Sequence, residues 1–374
     1  MPFNIVVENY KCWEHLDLEF RPLTVLSGLN NSGKSSVIQA LVLLRAVAIG
    51  ERIIPLNGAH GIDLGRVEDV LTYSADANIQ LSGSSEPRGP FSFVFSTTEE
   101  EQHERYLTLE LVNGSAPICF ASQSNVAFCY LSANRSGPSR FQALQSVPRE
   151  GMGLGANGEF SADVLSALDF QHKVRPTLQC IDTSLKSEKT ERLQVNLERW
   201  MRGMFPNLNI RADRNDASGI ATLEFGRQFH GAEWFSPTNS GFGISYVLPI
   251  VLAGLIVPSD GVIVVENPEA HLHPAAQSFI GRFLATVAAS GVHVILETHS
   301  DHVINGIRLA CVDEHPIRHS DVCLYNFVGA SDGQPDVEKI EINERGSLST
   351  HPKYFFDQSE KDLARILKSR KMVA

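Results

Sequence analysis

"GLNNSGKSS", residues 28–36, is the stretch on which the rest of the chain turns. Gly28 and Gly33 bracket four residues, and Lys34 and Ser35 follow directly. A G-x-x-x-x-G-K-[ST] pattern arises by accident in a chain of this length with odds on the order of one in a hundred. Its flanks therefore have to decide between a phosphate-holding loop and a chance run of turn-formers. "PLTVLSG" before it reads as a short strand. "KSSVIQALVLLRAVA" after it places Val37, Leu41, Leu44 and Val47 at helical spacing. Strand, loop and helix in that order are the context a phosphate loop requires.

The physics of such a loop is specific. Backbone N–H groups from Asn30 through Asn31, Ser32, Gly33 and Lys34 to Ser35 can point into one concavity, backed by the positive end of the helix that begins there. Glycine is needed where φ is positive or where backbone must approach oxygen closely. Lys34 would reach the β- and γ-phosphates of ATP, and the Ser35 hydroxyl, with Ser36 beside it, would ligate Mg2+. Such a site also needs an acid at the end of a neighbouring buried strand. "VIVVENPEAHLHP" (262–274) supplies four β-branched residues and then Glu266, expected to hold Mg2+ together with Ser35. A polar sensor on the next strand is offered by "VILETHSD", with Glu297, Thr298 and His299.

Composition bounds the alternatives. The chain has 374 residues, 43% hydrophobic and 20% charged, an ordinary globular profile. A net charge of −11 repels nucleic acid and anionic membrane, so any nucleic-acid contact would have to run through a local basic patch. The compact basic run is the tail "KSRKMVA" with Arg365 before it, read as a solvated chain end. Cys12, Cys119, Cys129, Cys180, Cys311 and Cys323 form no C-x-x-C pair, which fits isolated thiols in a reducing compartment. The beginning, "MPFNIVVENYKCW", carries no secretion signal, and "YVLPIVLAGLIV" is too short to span a bilayer. A cytoplasmic protein without membrane contact is expected.

Along the chain, "FNIVVENY" and "HLDLEF" alternate as strands. From about 68 to 130, "NIQLSG", "FSFVFS", "RYLTLELV", "PICFAS" and "VAFCYLSA" read as antiparallel strands. "SADVLSALDF", capped by its Ser, and "SEKTERLQVNLERWMRGMF" read as helices, then "NLNIRADR" and "ATLEFGRQ" as strands. "GISYVLPIVLAGLI", "AAQSFIGRFLATVAAS" and "DHVINGIRLACV" read as helices, the last capped by Ser300 or Asp301. "GVIVVEN" and "GVHVILETHS" are buried parallel-type strands, and "DVCLYNFV" and "DVEKIEINE" close the sheet.

"VVENPEAHLHP" followed by "ETHSDH" resembles the ATP-binding-cassette ATPases of the chromosome-maintenance and overcoming-lysogenisation-defect group. Within it, the chain is most similar to single-cassette AAA-type ATPases of bacterial defence loci. The tail "HPKYFFDQSEKDLARIL" resembles that of one uncharacterised subfamily. The resemblance covers about 1–75 and 235–374 and is weak across 76–234. It implies an α/β fold: a single ABC-type P-loop domain over 1–374 with a mixed sheet, an antiparallel β subdomain, a small inserted helical lobe and no long coiled coil. The expected parts are a Walker A lobe (1–75), the β subdomain and helical insertion (76–234), and a signature, Walker B and switch region with the tail (235–374).

The resemblance also assigns roles. Gly28, Gly33, Lys34 and Ser35 match Walker A, Glu266 the Walker B acid, and His299 the switch histidine at the γ-phosphate. "NSGFGIS" (239–245) stands at the cassette signature, where Ser240, Gly241 and Gly243 open a helix N-terminus to an anion. A signature of this kind binds the partner subunit's ATP, which implies a head-to-tail homodimer with ATP at its interface, crossed by "HLHP" (271–274). Asn267 stands where the family holds a catalytic Glu, and an amide cannot take a proton from water. Glu269 is the expected substitute, with slow turnover; ATP that only locks the dimer is the other reading. No Q-loop glutamine is evident, and "GIDLGRVEDV" (61–70) is its expected place.

On this basis the chain is expected to be a sensor or regulatory ATPase of anti-phage defence whose nuclease or toxin effector is a separate protein. The alternatives are a DNA-repair or chromosome-maintenance ATPase acting on DNA, and a non-hydrolysing scaffold. Competing readings of single residues are a metal cluster of His271, His273, His299 and His302 with Glu269 and Asp301, set aside because the cassette reading explains each position. Arg135 reads as a structural ion pair rather than a phosphate sensor, Trp200 as a core residue, and Phe355 and Phe356 as core or docking anchors.

Overall fold

The computed structural model describes residues 2–73, 77–98, 100–180, 188–227, 233–313, 316–329 and 334–350, together with 361, 362, 365 and 366. The "HPKYFFDQSEKDLARIL" segment with Phe355 and Phe356, and the basic tail, lie mostly or wholly outside them. Strands β1 (Phe3–Tyr10), β2 (Trp13–Phe20) and β3 (Leu23–Gly28) lead into helix α1 (Lys34–Ala48). Then follow β4 (Ile53–Pro55), the single turn α2 (Val67–Val70), β5 (Ile79–Ser85), β6 (Gly89–Ser96), β7 (Tyr106–Asn113), β8 (Phe128–Leu131) and β9 (Phe141–Ala143). Helices α3 (Ser161–Leu168) and α4 (Leu193–Arg202) precede β10 (Leu208–Asn215), β11 (Ile220–Arg227) and β12 (Trp234–Phe235). The remainder alternates: α5 (Phe242–Ile256), β13 (Val262–Glu266), α6 (Pro274–Ala289), β14 (His293–Glu297), α7 (Asp301–Val312), β15 (Val322–Val328) and β16 (Asp336–Ile340).

Three sheets result. An antiparallel sheet runs β2-β1-β5-β6-β7-β4, a small one is built from β9 to β12, and the central sheet runs β16-β15-β3-β14-β13-β8. Five central strands are mutually parallel, and only the edge strand β16 is antiparallel. Period-2 alternation sends the two faces of this sheet into two cores. Val25, Leu296 and Val265 face the core built with α5, α6 and α7. Leu26, Ile295 and Val264 face the core shared with α1 and the antiparallel sheet. Burial on both faces explains the unbroken apolar runs of β13 and β14. Each such side chain contributes about 1.5–3 kcal/mol on burial. No helix among the described residues is long and apolar enough to cross a membrane.

Several expectations need correction. "VAFCYLSA" is a strand, but β8 pairs in parallel with β13 at the edge of the central sheet, not in the antiparallel one. "PICFAS" forms a 3-10 turn at Ile118–Phe120 that tucks Cys119 and Phe120 into the core. Ser161 does not cap α3; Phe160 stands at that position, and the Ser161 hydroxyl donates to the Gly158 carbonyl. Most consequentially, the strand bearing Glu266 is not the neighbour of the strand leading into the glycine loop. β14 lies between β3 and β13.

His293 opens β14 with only 6% exposure, its ring 5.3 Å from that of Phe3. Burial pushes its pKa down to about 4. In the unfolded chain the imidazole takes a proton near pH 6.5, whereas the folded protein resists until about pH 4. Stability should therefore fall as pH drops from 6.5 toward 4, by on the order of 3 kcal/mol from this group. Urea unfolding across that span should show the His293→Leu variant losing less stability than the parent protein. Equal losses would remove His293 as the source.

Candidate functional site

The loop after β3 turns where side chains cannot follow. Gly28 has φ 125°, and a Cβ there would sit 2.2 Å from the Phe327 carbonyl oxygen of β15. Gly33 has φ 89°, and a Cβ there would meet the Trp13 ring at 2.5 Å. Asn31 is also left-handed at φ 59°, a conformation asparagine tolerates. Gly33 is the N-cap of α1 and makes no side-chain cap, so the helix presents bare N–H groups to the loop. Asn30, Asn31 and Ser35 are exposed, Ser32 is buried with its hydroxyl on the Leu29 carbonyl, and Ser36 faces the Cys12 thiol.

Lys34 is 3% exposed, and its Nζ donates to the Gly28 carbonyl at 3.2 Å and also to that of Leu29. Burial lowers its pKa, and Glu297, whose Oε1 is 3.8 Å from Nζ, opposes that shift. The Ser35 hydroxyl donates to Glu297, at 3.0 Å to Oε2 and 3.3 Å to Oε1. The Glu297 carboxyl is pushed up to about 7 by burial and by the nearby charge of Glu266, against the pull of Lys34 and Ser35. His299 completes the group, with Nε2 4.0 Å from Glu297 and a hydrogen bond to the Gly28 backbone. Burial and Lys34 lower its pKa, so it favours the neutral ring. Lys34, Ser35, Glu297 and His299 thus converge at the mouth of the glycine loop.

Glu266 is placed differently. Its Oε1 accepts from the Tyr130 hydroxyl at 2.9 Å, and its Oε2 from the Ala133 backbone at 3.0 Å. Glu269, the expected replacement base, accepts from the Thr298 hydroxyl and from the His299 backbone N–H, both at 2.8 Å. It ties the segment after β13 to the segment after β14. Asn267 is left-handed at φ 46°, and its N–H donates to the Glu297 carbonyl at 2.8 Å. Glu297 was legible as a polar residue at a strand end, but its pairing with Ser35 depends on β14 lying beside β3, which no local pattern reveals.

At "NSGFGIS", Gly241 is the N-cap of α5, exposed, with open space around its α-carbon, and Ser240 precedes it half-buried. Gly243 packs on the His271 carbonyl, where a Cβ would stand 2.7 Å away. His271 lies against the rings of Phe242 and Tyr246, at 5.4 and 4.6 Å, so the signature segment rests on "HLHP". His273 Nδ1 accepts from the Ala275 N–H at the start of α6. No three His, Cys, Asp or Glu side chains converge as a metal cluster among the described residues. The oxygen donors at Ser35 and Glu297 fit Mg2+, which takes one or two carboxylates and draws its other oxygens from phosphate and water. The segment 61–70 is a loop followed by α2; the Asn57 side chain accepts from the Leu64 and Gly65 N–H groups and donates to the Gly65 carbonyl. Trp200 packs on Phe279 and Phe283, a core role.

Arg135 is no ion pair. It is 2% exposed, and its guanidinium donates to the carbonyls of Ser132 at 2.9 Å, Glu266 at 2.6 Å and Asn267 at 2.6 Å. It clamps the backbone immediately after β13. Replacing it with Leu strands three carbonyls and should cost about 3 kcal/mol or more, read as a lower melting temperature. Unchanged melting with weakened nucleotide binding would make it a phosphate sensor instead.

Comparison with known proteins agrees with this geometry. A family model described as "AAA domain, putative AbiEii toxin, Type IV TA system" matches residues 120–305, and one described as "AAA ATPase domain" matches 3–82. A family described as "Protein of unknown function (DUF3696)" matches 317–366. No curated protein matches. Among solved structures, an SMC head bound to the C-terminal winged-helix domain of ScpA superposes with TM-score 0.56 at 12% identity, covering 91% of this chain and 98% of that one. An SMC head with an extended coiled coil, bound to the C-terminal domain of ScpA and derived from Pyrococcus furiosus, gives 0.53 at 11% identity, covering 98% and 100%. With a glycine loop opening α1, a parallel sheet behind it and AAA-type models matching both 3–82 and 120–305, the chain belongs to the ABC/AAA-type P-loop ATPases and has the fold of an SMC head.

Proposed function

We propose that this ATPase binds Mg-ATP in the glycine loop, forms a head-to-tail homodimer around it, and hydrolyses it slowly. The observation that carries the reading is the convergence of Lys34, Ser35 and His299 on one carboxylate at the loop mouth. Loop N–H groups and Lys34 would hold the phosphates; Ser35 would face the Mg2+, which supplies charge neutralisation on the phosphate oxygens when bound. His299, favouring its neutral form, can donate or accept one hydrogen bond at the terminal phosphate. Exposed Gly241 leaves the α5 N-terminus free to meet a partner's nucleotide.

The biological role we infer is that of a sensor or regulator in bacterial anti-phage defence, acting on a separate effector. Two points support it: the match over 120–305 to a family of AAA domains described as a putative AbiEii toxin, and the SMC heads of the same fold that are bound to domains of a separate protein, ScpA. A scaffold locked by ATP is the second reading, because Asn267 offers no base and Glu269 spends both oxygens on Thr298 and His299.

Lys34→Ala should abolish ATP binding measured by calorimetry, and normal affinity would sink the loop assignment. Gly241→Arg should leave the fold and nucleotide binding intact yet block ATP-driven dimerisation in sedimentation. An unchanged dimer would remove the signature. Phosphate release should be slow in the natural protein and rise about tenfold or more in Asn267→Glu. If Glu269→Gln alone stops turnover while the fold holds, Glu269 is the base after all.

A further inference from the structure

Resting on the Mg-ATP reading, with Glu266 as the acid that orders the metal's waters, we propose that Tyr130 on the edge strand β8 is the positioning residue of that acid. The Tyr130 hydroxyl donates to Glu266 Oε1 at 2.9 Å, and the Ala133 N–H, from the loop that leaves β8, donates to Oε2 at 3.0 Å. An ionised carboxylate offers about four lone-pair sites. One donor on each oxygen orients the group and leaves a lone pair on each for the shell of the metal. Partners of this kind fix how a metal-side ligand points, and their loss costs about ten- to a hundredfold in metal affinity.

Register explains why a tyrosine stands here. β8 pairs in parallel with β13, with Tyr130 beside Val264 and Leu131 beside Val265. Period-2 alternation puts Tyr130 on the face from which Glu266, two residues beyond Val264, also projects. The diagonal across one strand spacing and two residues of rise is roughly 8 Å between α-carbons. A serine or threonine hydroxyl falls short of that span, and a phenol reaches across it. Burial and the charge of Glu266 raise the Tyr130 pKa, so the hydroxyl keeps its proton and stays a donor. Arg135 holds the Glu266 backbone carbonyl at 2.6 Å. The chain from Tyr130 to Arg135 therefore grips both the side chain and the main chain of Glu266. On its other side Glu266 is in register with Glu297, whose carboxyl is raised by burial and then by the Glu266 charge. The held carboxylate thus belongs to the group in which Glu297 meets Lys34 and Ser35.

The test uses the full chain with adenylyl-imidodiphosphate as a non-hydrolysable ATP analogue and Mn2+ as the metal probe. Wild type is set beside Tyr130→Phe, Glu266→Gln and a control, Tyr325→Phe, which deletes a buried hydroxyl bonded to the Glu19 backbone. Analogue affinity in EDTA reports the loop and Lys34, and should be alike in all four. Mn2+ affinity of the analogue complexes, read by electron paramagnetic resonance, should fall about tenfold or more in Tyr130→Phe and Glu266→Gln. It should stay at the wild-type value in Tyr325→Phe. Unchanged Mn2+ affinity in Tyr130→Phe overturns the proposal. So does a fall that Tyr325→Phe shares, or one matched by lost analogue affinity in EDTA, since either marks a defect of the fold. If Glu266→Gln keeps its Mn2+ affinity, the acid is not Glu266 and the proposal falls with it. A wild type that binds no analogue, with or without metal, fails the Mg-ATP reading itself.

Discussion

The structure depends on β3 being buried on both faces and ending in a turn that admits no side chain. Leu23, Val25 and Leu26 are fully buried, and the chain must reverse at Gly28 against the backbone of β15. Because β3 is buried, its backbone groups need partners on both sides, and β14 and β15 supply them. Once β14 stands beside β3, its last residue must lie under the first turn of α1. That geometry turns a strand-end glutamate into the partner of the loop serine.

Buried charge then organises the site. Lys34 and Glu297 are both withdrawn from water, and each shift reflects burial opposed by the other's charge. Pairs of this kind are held by surrounding hydrogen bonds more than by their own attraction. The supports here are the Gly28 and Leu29 carbonyls for the lysine and Ser35 for the glutamate. Behind them Arg135 pins the backbone at Glu266 and Asn267, and Glu269 joins the segments that follow β13 and β14. A change in either strand end is therefore transmitted to the other through backbone rather than through long side chains.

Much of this was legible in the residues themselves. The helix 34–48, the apolar strands 262–266 and 293–297, and a cap for α7 at Ser300 or Asp301 follow from periodicity and capping chemistry, and the structure places Ser300 there. The short strand 141–143 and the 3-10 turn at 118–120 were not legible, because segments of three residues carry too little pattern to resolve. The expected ion pair of Arg135 is not found; its guanidinium meets backbone carbonyls at a strand end, a partner set that no residue pattern marks.

By itself the sequence determined the glycine loop, its lysine and serine, and the existence of two acidic strand ends, since these rest on local spacing and on backbone conformations only certain residues adopt. Tertiary structure decided which acid meets the serine. Strand order is settled by how helices on one face, and α1 with the antiparallel sheet on the other, cover the central sheet, a non-local matter. A residue pattern along one strand is the same whether that strand lies first or second from the loop.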